Sequence, residues 1–434
     1  MSEKPRNIIK VSDFSSAGWG VGRRPEGKVA VVKGAVIGDT VEFDITAEAH
    51  SLTYGEAKKV IEASPDRIEH PCRHYYEGCP GCLLGAYDYL KGLEWKRLHF
   101  QETLRRIGRI EASAEAIISG EKSWGQRNRI ELLLFHSGEA IDIGYKTEKR
   151  YVPIDDCLLA TASIRQVLNP LKERLKAIKP GTAGLSARLL LRDNGKEGCA
   201  AVLFVPRLQA QEWRTHAESL KDLFYGWQIR SMQGLDHRFT QSVLLNSSGE
   251  TTVYRNLCGK EIAVNILCFS QTNNEMEERM RQGILSDLEE GGSLLELYSG
   301  YGAWGLAYCI IKRGRAVLVD VNVEAVRAAG KFIETQELAA EVYAAEADVI
   351  GRLSFGRHAF DSVLADPPRS GLHTGVTRWL NAGKPGKFIY VSCHPAVLAR
   401  DLAKLTGGKI NKIMLFDMFP QTAEVEAVCF MELG

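Results

Sequence analysis

The last third of the chain alternates strand and helix patterns around a tight glycine turn. An apolar run at residues 293–298 leads into the turn at residues 299–302 and the start of a helix, and a second apolar run at residues 316–319 ends on Asp320. In a doubly wound parallel sheet, glycines in the first turn let the backbone approach a nucleotide, and an acid after the second strand accepts hydrogen bonds from ribose hydroxyls. The pattern predicts a C-terminal α/β domain of Rossmann-like topology at residues 286–434.

The glycine turn also narrows the choice of ligand. It contains Gly300 and Gly302 but lacks the third glycine of the dinucleotide fingerprint, which disfavours NAD and favours S-adenosyl-L-methionine. A glycine pair alone indicates only a turn that needs positive φ angles. We therefore expect Gly300 and Asp320 to belong to a site for S-adenosyl-L-methionine.

Two further predicted strands end on residues that can do chemistry. Residues 360–365 lead into Asp366, and residues 387–391 lead into Ser392 and Cys393. The carboxyl ends of such strands face the ligand crevice, so we expect Asp366 and Cys393 to share one cleft. A cysteine at such a place is more often a small buried residue, and it reacts only if its thiol pKa is lowered.

The cysteines of the first half favour a metal site. Cys72, Cys79 and Cys82 read Cys-x6-Cys-x2-Cys, and Cys157 is the next cysteine along the chain. A cubane needs four thiolates, so these residues predict a [4Fe-4S] cluster. Zinc and purely structural thiols remain open, because spacing alone does not separate soft metals. Disulfides are disfavoured, since nothing at the N-terminus resembles a secretory signal, and we expect a cytoplasmic protein.

Length and patterning favour several domains. A chain of 434 residues suggests about three domains. Residues 1–64 alternate apolar and polar positions between glycine turns, which predicts a small closed β-barrel of the oligonucleotide-binding type. Residues 65–285 then form a central α+β domain that carries the cysteines.

The overall charge of the chain does not indicate that it binds nucleic acid. The net charge is +1, so a surface that binds RNA must be a local patch. Residues 91–109 are locally basic, but they read more readily as the solvated face of a helix at residues 87–107. The apolar stripe of that helix is predicted to be Leu90, Leu93, Leu98, Leu104 and Ile107. No stretch is apolar enough to predict a membrane span.

Several segments together resemble the motifs of one family. They are Trp-Gly-Gln-Arg-Asn-Arg at 124–129, Val-Pro-Ile-Asp-Asp-Cys at 152–157, Phe-Ser-Gln-Thr-Asn at 269–273, Asp-Pro-Pro-Arg-Ser-Gly-Leu at 366–372, Val-Ser-Cys-His-Pro at 391–395 and Asp-Met-Phe-Pro-Gln-Thr-Ala-Glu-Val-Glu at 417–426. In this order they resemble the RNA uracil-5 methyltransferase family. The likeness is strongest to the branch that carries a TRAM domain and a four-iron cluster and forms 5-methyluridine in 23S ribosomal RNA, and it covers nearly the whole chain.

The resemblance implies a role for each candidate residue. Cys393 would be the nucleophile that adds to carbon 6 of uracil, and Glu426 the base that removes the proton from carbon 5. Gln271, Tyr298 and Asp320 would hold S-adenosyl-L-methionine, and Asp366 would bind the target pyrimidine or the cofactor amine. The N-terminal barrel would be the TRAM domain, with Cys157 as the fourth ligand of the cluster.

The resemblance implies methylation of a uridine in 23S ribosomal RNA by a cytoplasmic monomer that binds no membrane. A tRNA substrate stays open. So does a non-catalytic RNA-binding or assembly protein of the same fold, although the presence of Cys393 and Glu426 disfavours it. A zinc-containing methyltransferase for a small molecule is the remaining alternative, and the predicted barrel argues against it.

Overall fold

The computed structural model describes residues 7–114, 116–137, 140–147, 150–179, 185–196, 198–233, 242–347, 360–383 and 385–433. These residues form a closed barrel of five strands, a seven-stranded sheet, a two-stranded sheet and an eight-stranded sheet. Within the described residues, no helix is long and apolar enough to cross a membrane.

The N-terminal segment forms the predicted barrel. Its strands are β1 (Ile8–Phe14), β2 (Gly20–Arg23), β3 (Val29–Lys33), β4 (Thr40–Glu48) and β5 (Leu52–Glu62). The barrel closes because β4, which pairs with β5 on one side, pairs with β1 on the other. Phe43 fills the interior, and a Cβ at Gly55 would lie 2.3 Å from its ring, so glycine is needed there. The prediction of a small closed barrel is confirmed.

The cysteine segment leads into a helix that packs on the C-terminal half. The elements are α1 (Arg73–Tyr76), α2 (Tyr89–Thr103), a π-helical turn (Leu104–Gly108) and β6 (Ile117–Ile118). Asp88 caps α2, because its side chain accepts a hydrogen bond from the Lys91 N–H at 3.0 Å.

The predicted apolar stripe of this helix is wrong at Leu90, Leu98 and Ile107, which are exposed, and is confirmed at Leu104, which is buried. Leu90 is 72% exposed and Leu98 is 50% exposed, whereas Trp95, Lys96 and Phe100 are buried. Leucine periodicity did not identify the inner face because two aromatic rings occupy it together with a lysine whose charge has a buried partner in the C-terminal half.

The central sheet has the strand order β13-β12-β11-β10-β7-β8-β9. Its elements are β7 (Arg129–Ser137), β8 (Ala140–Lys146), β9 (Tyr151–Pro153), α3 (Ala162–Lys176), β10 (Ala187–Asp193), β11 (Cys199–Pro206), a 3-10 turn (Arg207–Gln209), α4 (Ala210–Ala217), a second 3-10 turn (Lys221–Leu223), β12 (Gly226–Met232) and β13 (Val243–Gly249). A hairpin of β14 (Thr252–Leu257) and β15 (Lys260–Asn265) follows it. Apolar residues of α3 and α4 cover one face of the sheet.

The C-terminal sheet has the order β18-β17-β16-β19-β20-β22-β21-β6. Its elements are α5 (Asn274–Asp287), β16 (Ser293–Leu297), α6 (Gly305–Lys312), β17 (Arg315–Asp320), α7 (Val323–Gln336), β18 (Ala340–Ala344), β19 (Ser362–Ala365), α8 (Thr374–Gly383), β20 (Lys387–Ser392), α9 (Pro395–Leu402), β21 (Gly408–Phe416) and β22 (Glu426–Leu433). Five neighbouring strands are parallel, namely β18, β17, β16, β19 and β20, and β22 is antiparallel to β20. The prediction of a Rossmann-like sheet is confirmed.

The strand order reverses at β16, which pairs with β17 on one side and β19 on the other. Leu297 lies opposite Val319 of β17 and Ala365 of β19. Tyr298, Asp320 and Asp366 therefore leave the sheet at one level. Ligands bind at such a switch point in open α/β sheets.

The boundaries at residues 64/65 and 285/286 remain a prediction, and the structure adds two contacts across the second boundary. Ile117 and Ile118 pair with Leu415 and Phe416 of β21, and α2 packs on α9. Part of the segment assigned to the central domain thus completes the edge of the C-terminal sheet.

Candidate active site

The glycine turn after β16 is held by the acid at the end of β17. The Gly300 N–H donates to Asp320 Oδ2 at 2.7 Å, and the Asn322 N–H donates to Asp320 Oδ1 at 2.7 Å. Gly302 has a φ of 82°, and Tyr298 has a φ of 58°. Residues other than glycine rarely adopt a positive φ. The Tyr298 hydroxyl accepts a hydrogen bond from the His373 N–H at 3.1 Å. The predicted residues Tyr298, Gly300 and Asp320 thus lie together.

Asp366 lies between this turn and the segment that carries Gln271. Its Oδ2 accepts long hydrogen bonds of 3.4 Å from Gln271 Nε2 and from Trp304 Nε1. Burial raises the pKa of Asp366 to about 7, against these two hydrogen bonds, which lower it. A carboxyl with such a pKa changes its charge near neutral pH and accepts or donates a hydrogen bond accordingly.

Residues of the central sheet and of the β14–β15 hairpin hold the segment that carries Gln271 through hydrogen bonds. The Gln271 carbonyl accepts hydrogen bonds from Asn128 Nδ2 at 3.0 Å and from Arg255 at 3.1 Å. Arg192, which is buried, donates to the carbonyls of Ile266 and Cys268. These contacts place the amide of Gln271 at the edge of the cleft.

Cys393 and Glu426 are brought together by strand pairing. Ser392 of β20 lies opposite Ala427 of β22. Since the two strands are antiparallel, Cys393, one residue after Ser392, extends toward Glu426, one residue before Ala427. Glu426 is 3% exposed. The two residues also act on one another electrostatically.

Burial and the neighbouring carboxyl groups oppose ionisation of both Cys393 and Glu426. Burial, and then the charge of Glu426, raise the pKa of the Cys393 thiol to about 12, while Arg369 lowers it. Burial, and then Asp366 and Glu424, raise the pKa of Glu426 well above its usual range. The cleft thus places a thiol, a buried carboxyl and a guanidinium within electrostatic reach of one another.

Arg369 is one of two cleft residues to which sequence reasoning assigned no role. Its guanidinium pairs with the Glu424 carboxylate and interacts with the Cys393 thiol. Arg369 is the last residue of the Asp-Pro-Pro-Arg motif at residues 366–369. The sequence identifies this motif, but it predicts no function for the arginine. Cys393 also lies two residues before α9, whose N-cap is His394, and the partial positive charge at a helix start favours a thiolate.

The second such residue is Glu296, which lies on β16 and contacts the start of α6. It is fully buried on β16, and its Oε2 accepts a hydrogen bond from the Gly305 N–H at 2.7 Å. Among the described residues, its Oε1 has no hydrogen-bond partner. Burial raises the pKa of Glu296 to about 8. A charged residue within an otherwise apolar strand was the available signal.

The four cysteines predicted as ligands lie near one another. Cys82 interacts electrostatically with Cys79, Cys72 and Cys157, and none of the four forms a disulfide. Burial raises the pKa of Cys79 to about 11. Within the described residues, no group of three or more His, Cys, Asp or Glu side chains is arranged to hold a metal ion.

The loop around these thiols is organised by histidine and arginine. The Cys72 N–H donates to His70 Nδ1 at 3.0 Å, and His70 Nε2 lies 3.0 Å from the Cys82 carbonyl. The charge of Arg127 lowers the thiol pKa values of Cys82 and Cys157, against the larger effect of burial. A cationic side chain beside buried thiols favours the thiolates that soft metals bind.

Comparison with known proteins gives a consistent assignment. Residues 88–433 match the model of the tRNA (uracil-5-)-methyltransferase family. A 23S rRNA (uracil(1939)-C(5))-methyltransferase of Shewanella amazonensis is 29% identical, over 98% of this chain and 95% of the relative. A tRNA (uracil(54)-C(5))-methyltransferase of Pyrococcus abyssi is 28% identical, over 92% of this chain and 96% of the relative.

A solved structure is similar along nearly the whole chain. It is the crystal structure of Pyrococcus abyssi tRNA (uracil-54, C5)-methyltransferase in complex with S-adenosyl-L-homocysteine. Its TM-score is 0.74 at 26% identity, and the match covers 98% of this chain and 100% of that chain.

Proposed function

The chain belongs to the tRNA (uracil-5-)-methyltransferase family, and we propose that it methylates carbon 5 of a uridine in 23S ribosomal RNA through a covalent adduct between Cys393 and carbon 6. The observation that carries this proposal is the convergence of Cys393 and Glu426 across β20 and β22. One residue can add to uracil while the other removes a proton from the same ring.

The reaction needs a nucleophile because carbon 5 of uracil is too weakly nucleophilic to take a methyl group by itself. Addition of the Cys393 thiolate to carbon 6 breaks the double bond between carbons 5 and 6 and places the electron pair on carbon 5 as an enolate. Sulfur suits this task, since it is a good nucleophile and later a good leaving group. The thiol must first give its proton to solvent water. Arg369 favours this loss, because its charge lowers the pKa of the Cys393 thiol against the effect of burial.

S-adenosyl-L-methionine, when bound, supplies the methyl group from a sulfonium centre and leaves as S-adenosyl-L-homocysteine. The residues that would hold it line the switch point of the sheet. Asp320 would accept from the ribose hydroxyls, the backbone at Gly300 would allow close approach, and Gln271 and Tyr298 would line the methyl-transfer side. Such positioning lets an in-line transfer proceed at high effective concentration.

Glu426 completes the reaction. After transfer, carbon 5 carries both a methyl group and a proton. Removal of that proton by the Glu426 carboxylate restores the double bond between carbons 5 and 6 and expels the Cys393 thiolate. The raised pKa of Glu426 suits a base, because it increases the affinity of the carboxylate for the proton.

Asp366 would hydrogen-bond the target base or the cofactor amine at the same edge of the cleft. A stacked uracil hides carbons 5 and 6, so the target must lie in a loop or be flipped out of its helix. Single-stranded RNA of this kind fits an oligonucleotide-binding barrel beside the cleft.

The four cysteines would hold a [4Fe-4S] cluster. The support is their number, their mutual proximity and the cationic Arg127 beside them. Methyl transfer moves no net electrons, so the cluster would fix the loop at residues 72–82 rather than take part in the reaction. Zinc remains the alternative occupant, because thiolates suit both.

The RNA class is the finer part of the proposal. The relatives include an enzyme named for 23S rRNA and enzymes named for tRNA. The test is incorporation of labelled methyl from S-adenosyl-L-methionine into unmodified 23S ribosomal RNA and unmodified tRNA, followed by nucleoside mapping. Label in 5-methyluridine of the ribosomal RNA is expected. Label in tRNA alone would favour the alternative substrate, and label in neither would favour a non-catalytic RNA-binding protein.

A further inference from the structure

A lysine and an aspartate form a buried ion pair outside the reacting groups. Lys96 of α2 is 3% exposed and Asp417 is 0% exposed. Lys96 Nζ donates to Asp417 Oδ1 at 2.5 Å and to the Phe419 carbonyl at 3.1 Å. Tyr89, also on α2, donates its hydroxyl to Asp417 Oδ2 at 2.6 Å. Both oxygens of the carboxylate are thus held by one helix.

Asp417 opens the loop that ends at the base. Phe416, the last residue of β21, pairs with Glu426, the first residue of β22, and residues 417–425 connect them; we call this connection the base loop. The Asp417 N–H donates to the Ile118 carbonyl at 2.8 Å. The start of the base loop is therefore fixed to α2 by its side chain and to β6 by its backbone.

The rest of the base loop is held by the cysteine segment and by the cleft. The Leu84 N–H, two residues after Cys82, donates to the Gln421 carbonyl at 3.0 Å. Gln421 has a φ of 63°, a strained conformation that persists only where its surroundings enforce it. Ala423 packs on the cluster of Phe14, Leu84 and Trp95. The strained residue thus lies in a part of the base loop that is held by neighbouring segments, shortly before Glu426.

A buried ion pair is poor evidence for a role in stability alone. Removing two charges from water costs several kcal/mol per ion, and well-packed apolar residues often stabilise such a place equally well. What an ion pair with three directed hydrogen bonds adds is a defined position for the groups it holds. Glu424 and Arg127 also act electrostatically on Lys96, and Glu424 belongs to the same base loop.

We propose that Lys96 is a positioning residue for Glu426: by holding Asp417 and Phe419 it fixes the base loop, and thereby sets where the Glu426 carboxylate lies against Cys393. The role rests on the proposed function, since it concerns proton removal after methyl transfer. It predicts that loss of the ion pair slows expulsion of Cys393 and leaves addition and cofactor binding intact.

The test uses the double variant Lys96→Met with Asp417→Asn, which removes both charges and leaves no buried charge unpaired. Tyr89→Phe is a milder second variant, because it removes one hydrogen bond from Asp417 and keeps the ion pair. Lys331→Met, at an exposed lysine of α7, is the matched control. The full-length protein is used throughout.

The first measurement needs no RNA. Amide hydrogen exchange should become faster in residues 417–425 of the double variant, with unchanged exchange in the glycine turn at residues 299–302 and unchanged affinity for S-adenosyl-L-methionine. The proposal would be overturned if the base loop of the double variant exchanged at the wild-type rate, or if exchange became faster throughout the molecule. This outcome is independent of whether the protein methylates a given RNA.

The second measurement follows single turnover on the RNA that the wild-type enzyme methylates. The double variant should form the methylated protein–RNA adduct at the wild-type rate and resolve it about 100-fold more slowly, the loss typical of a catalytic group displaced by about 1 Å. Tyr89→Phe should show a smaller delay of the same kind. Equal slowing of adduct formation and resolution would contradict positioning and indicate a merely structural role.

Discussion

The pairing of Ser392 with Ala427 brings Cys393, the residue after β20, toward Glu426, the first residue of β22. The proposed nucleophile and the proposed base therefore lie at the ends of two strands whose register is fixed by a row of backbone hydrogen bonds. Because a slip by one residue would turn every side chain to the opposite face, the same pairing that builds the sheet also sets the position of Cys393 relative to Glu426.

Replacing Asp320 with Ala should weaken binding of S-adenosyl-L-methionine. The carboxylate accepts from the Gly300 N–H and would accept from the ribose, and each charge-assisted hydrogen bond contributes about 1.5–3 kcal/mol. Calorimetry should show this loss with RNA affinity nearly unchanged. Glu324→Ala, an exposed acid at the start of α7, is the control. Unchanged cofactor affinity in Asp320→Ala would mean that the site is misplaced.

Replacing Arg369 with Ala should slow formation of the protein–RNA adduct. Arg369 lowers the pKa of the Cys393 thiol, so its loss raises that pKa further and leaves less thiolate at any given pH. The pH profile of adduct formation should move to higher pH, and Arg369→Lys should restore part of the rate by keeping the charge. An unshifted profile in Arg369→Ala would remove this residue from thiol activation.

Replacing Glu296 with Gln should change how stability depends on pH. Burial raises the pKa of Glu296 to about 8 from its usual value of 4.5, so the folded protein binds a proton between these values that the unfolded chain does not. This contribution to stability is present at low pH and is lost as the pH rises through about 8. Glu296→Gln should therefore match the wild type near pH 5 and be relatively more stable near pH 9.

Urea unfolding at several pH values measures this difference. Glu346→Gln, at an exposed glutamate, is the control and should follow the wild type throughout. A constant difference between Glu296→Gln and the wild type across this range would show that Glu296 ionises normally in the folded protein.

Metal analysis tests the four cysteines. The anaerobically purified protein should be brown and hold about four irons. Cys72→Ser should lose iron and bind RNA less well while its affinity for S-adenosyl-L-methionine holds, because the cysteine loop lies outside the cofactor site. Cys258→Ser, at a cysteine outside this group, should keep its iron. Stoichiometric zinc without iron would exclude the cluster.

Local pattern was enough to predict the barrel, the Rossmann-like sheet and the glycine turn with Asp320, because each depends on residues close in sequence. Contacts between distant segments were not predictable in this way. Lys96 and Asp417 are 321 residues apart, and a basic stretch at residues 91–109 looked like a solvated face. Because Lys96 pairs with the buried Asp417, the side of α2 that carries this lysine faces inward. This pairing is seen only in the folded structure.

The roles of Cys393 and Glu426 came from a family resemblance rather than from position. A lone cysteine after a strand and a carboxylate near the end of the chain carry little information by themselves. Their adjacency depends on the antiparallel placement of β22 beside β20, which a single sequence does not specify. Arg369 was overlooked for the same reason, since its partner Glu424 lies 55 residues further along the chain.

The most direct test of the mechanism compares Cys393→Ala with Glu426→Gln on a denaturing gel, using RNA and S-adenosyl-L-methionine labelled in its methyl group. Cys393→Ala should bind RNA yet give no covalent complex and no product. Glu426→Gln should add, take up the methyl group and stall, because the proton on carbon 5 blocks expulsion of the thiolate. A shifted, methyl-labelled band is therefore expected for Glu426→Gln alone. Turnover by Cys393→Ala, or a trapped adduct in Glu424→Gln but not in Glu426→Gln, would contradict the assignment of nucleophile or base.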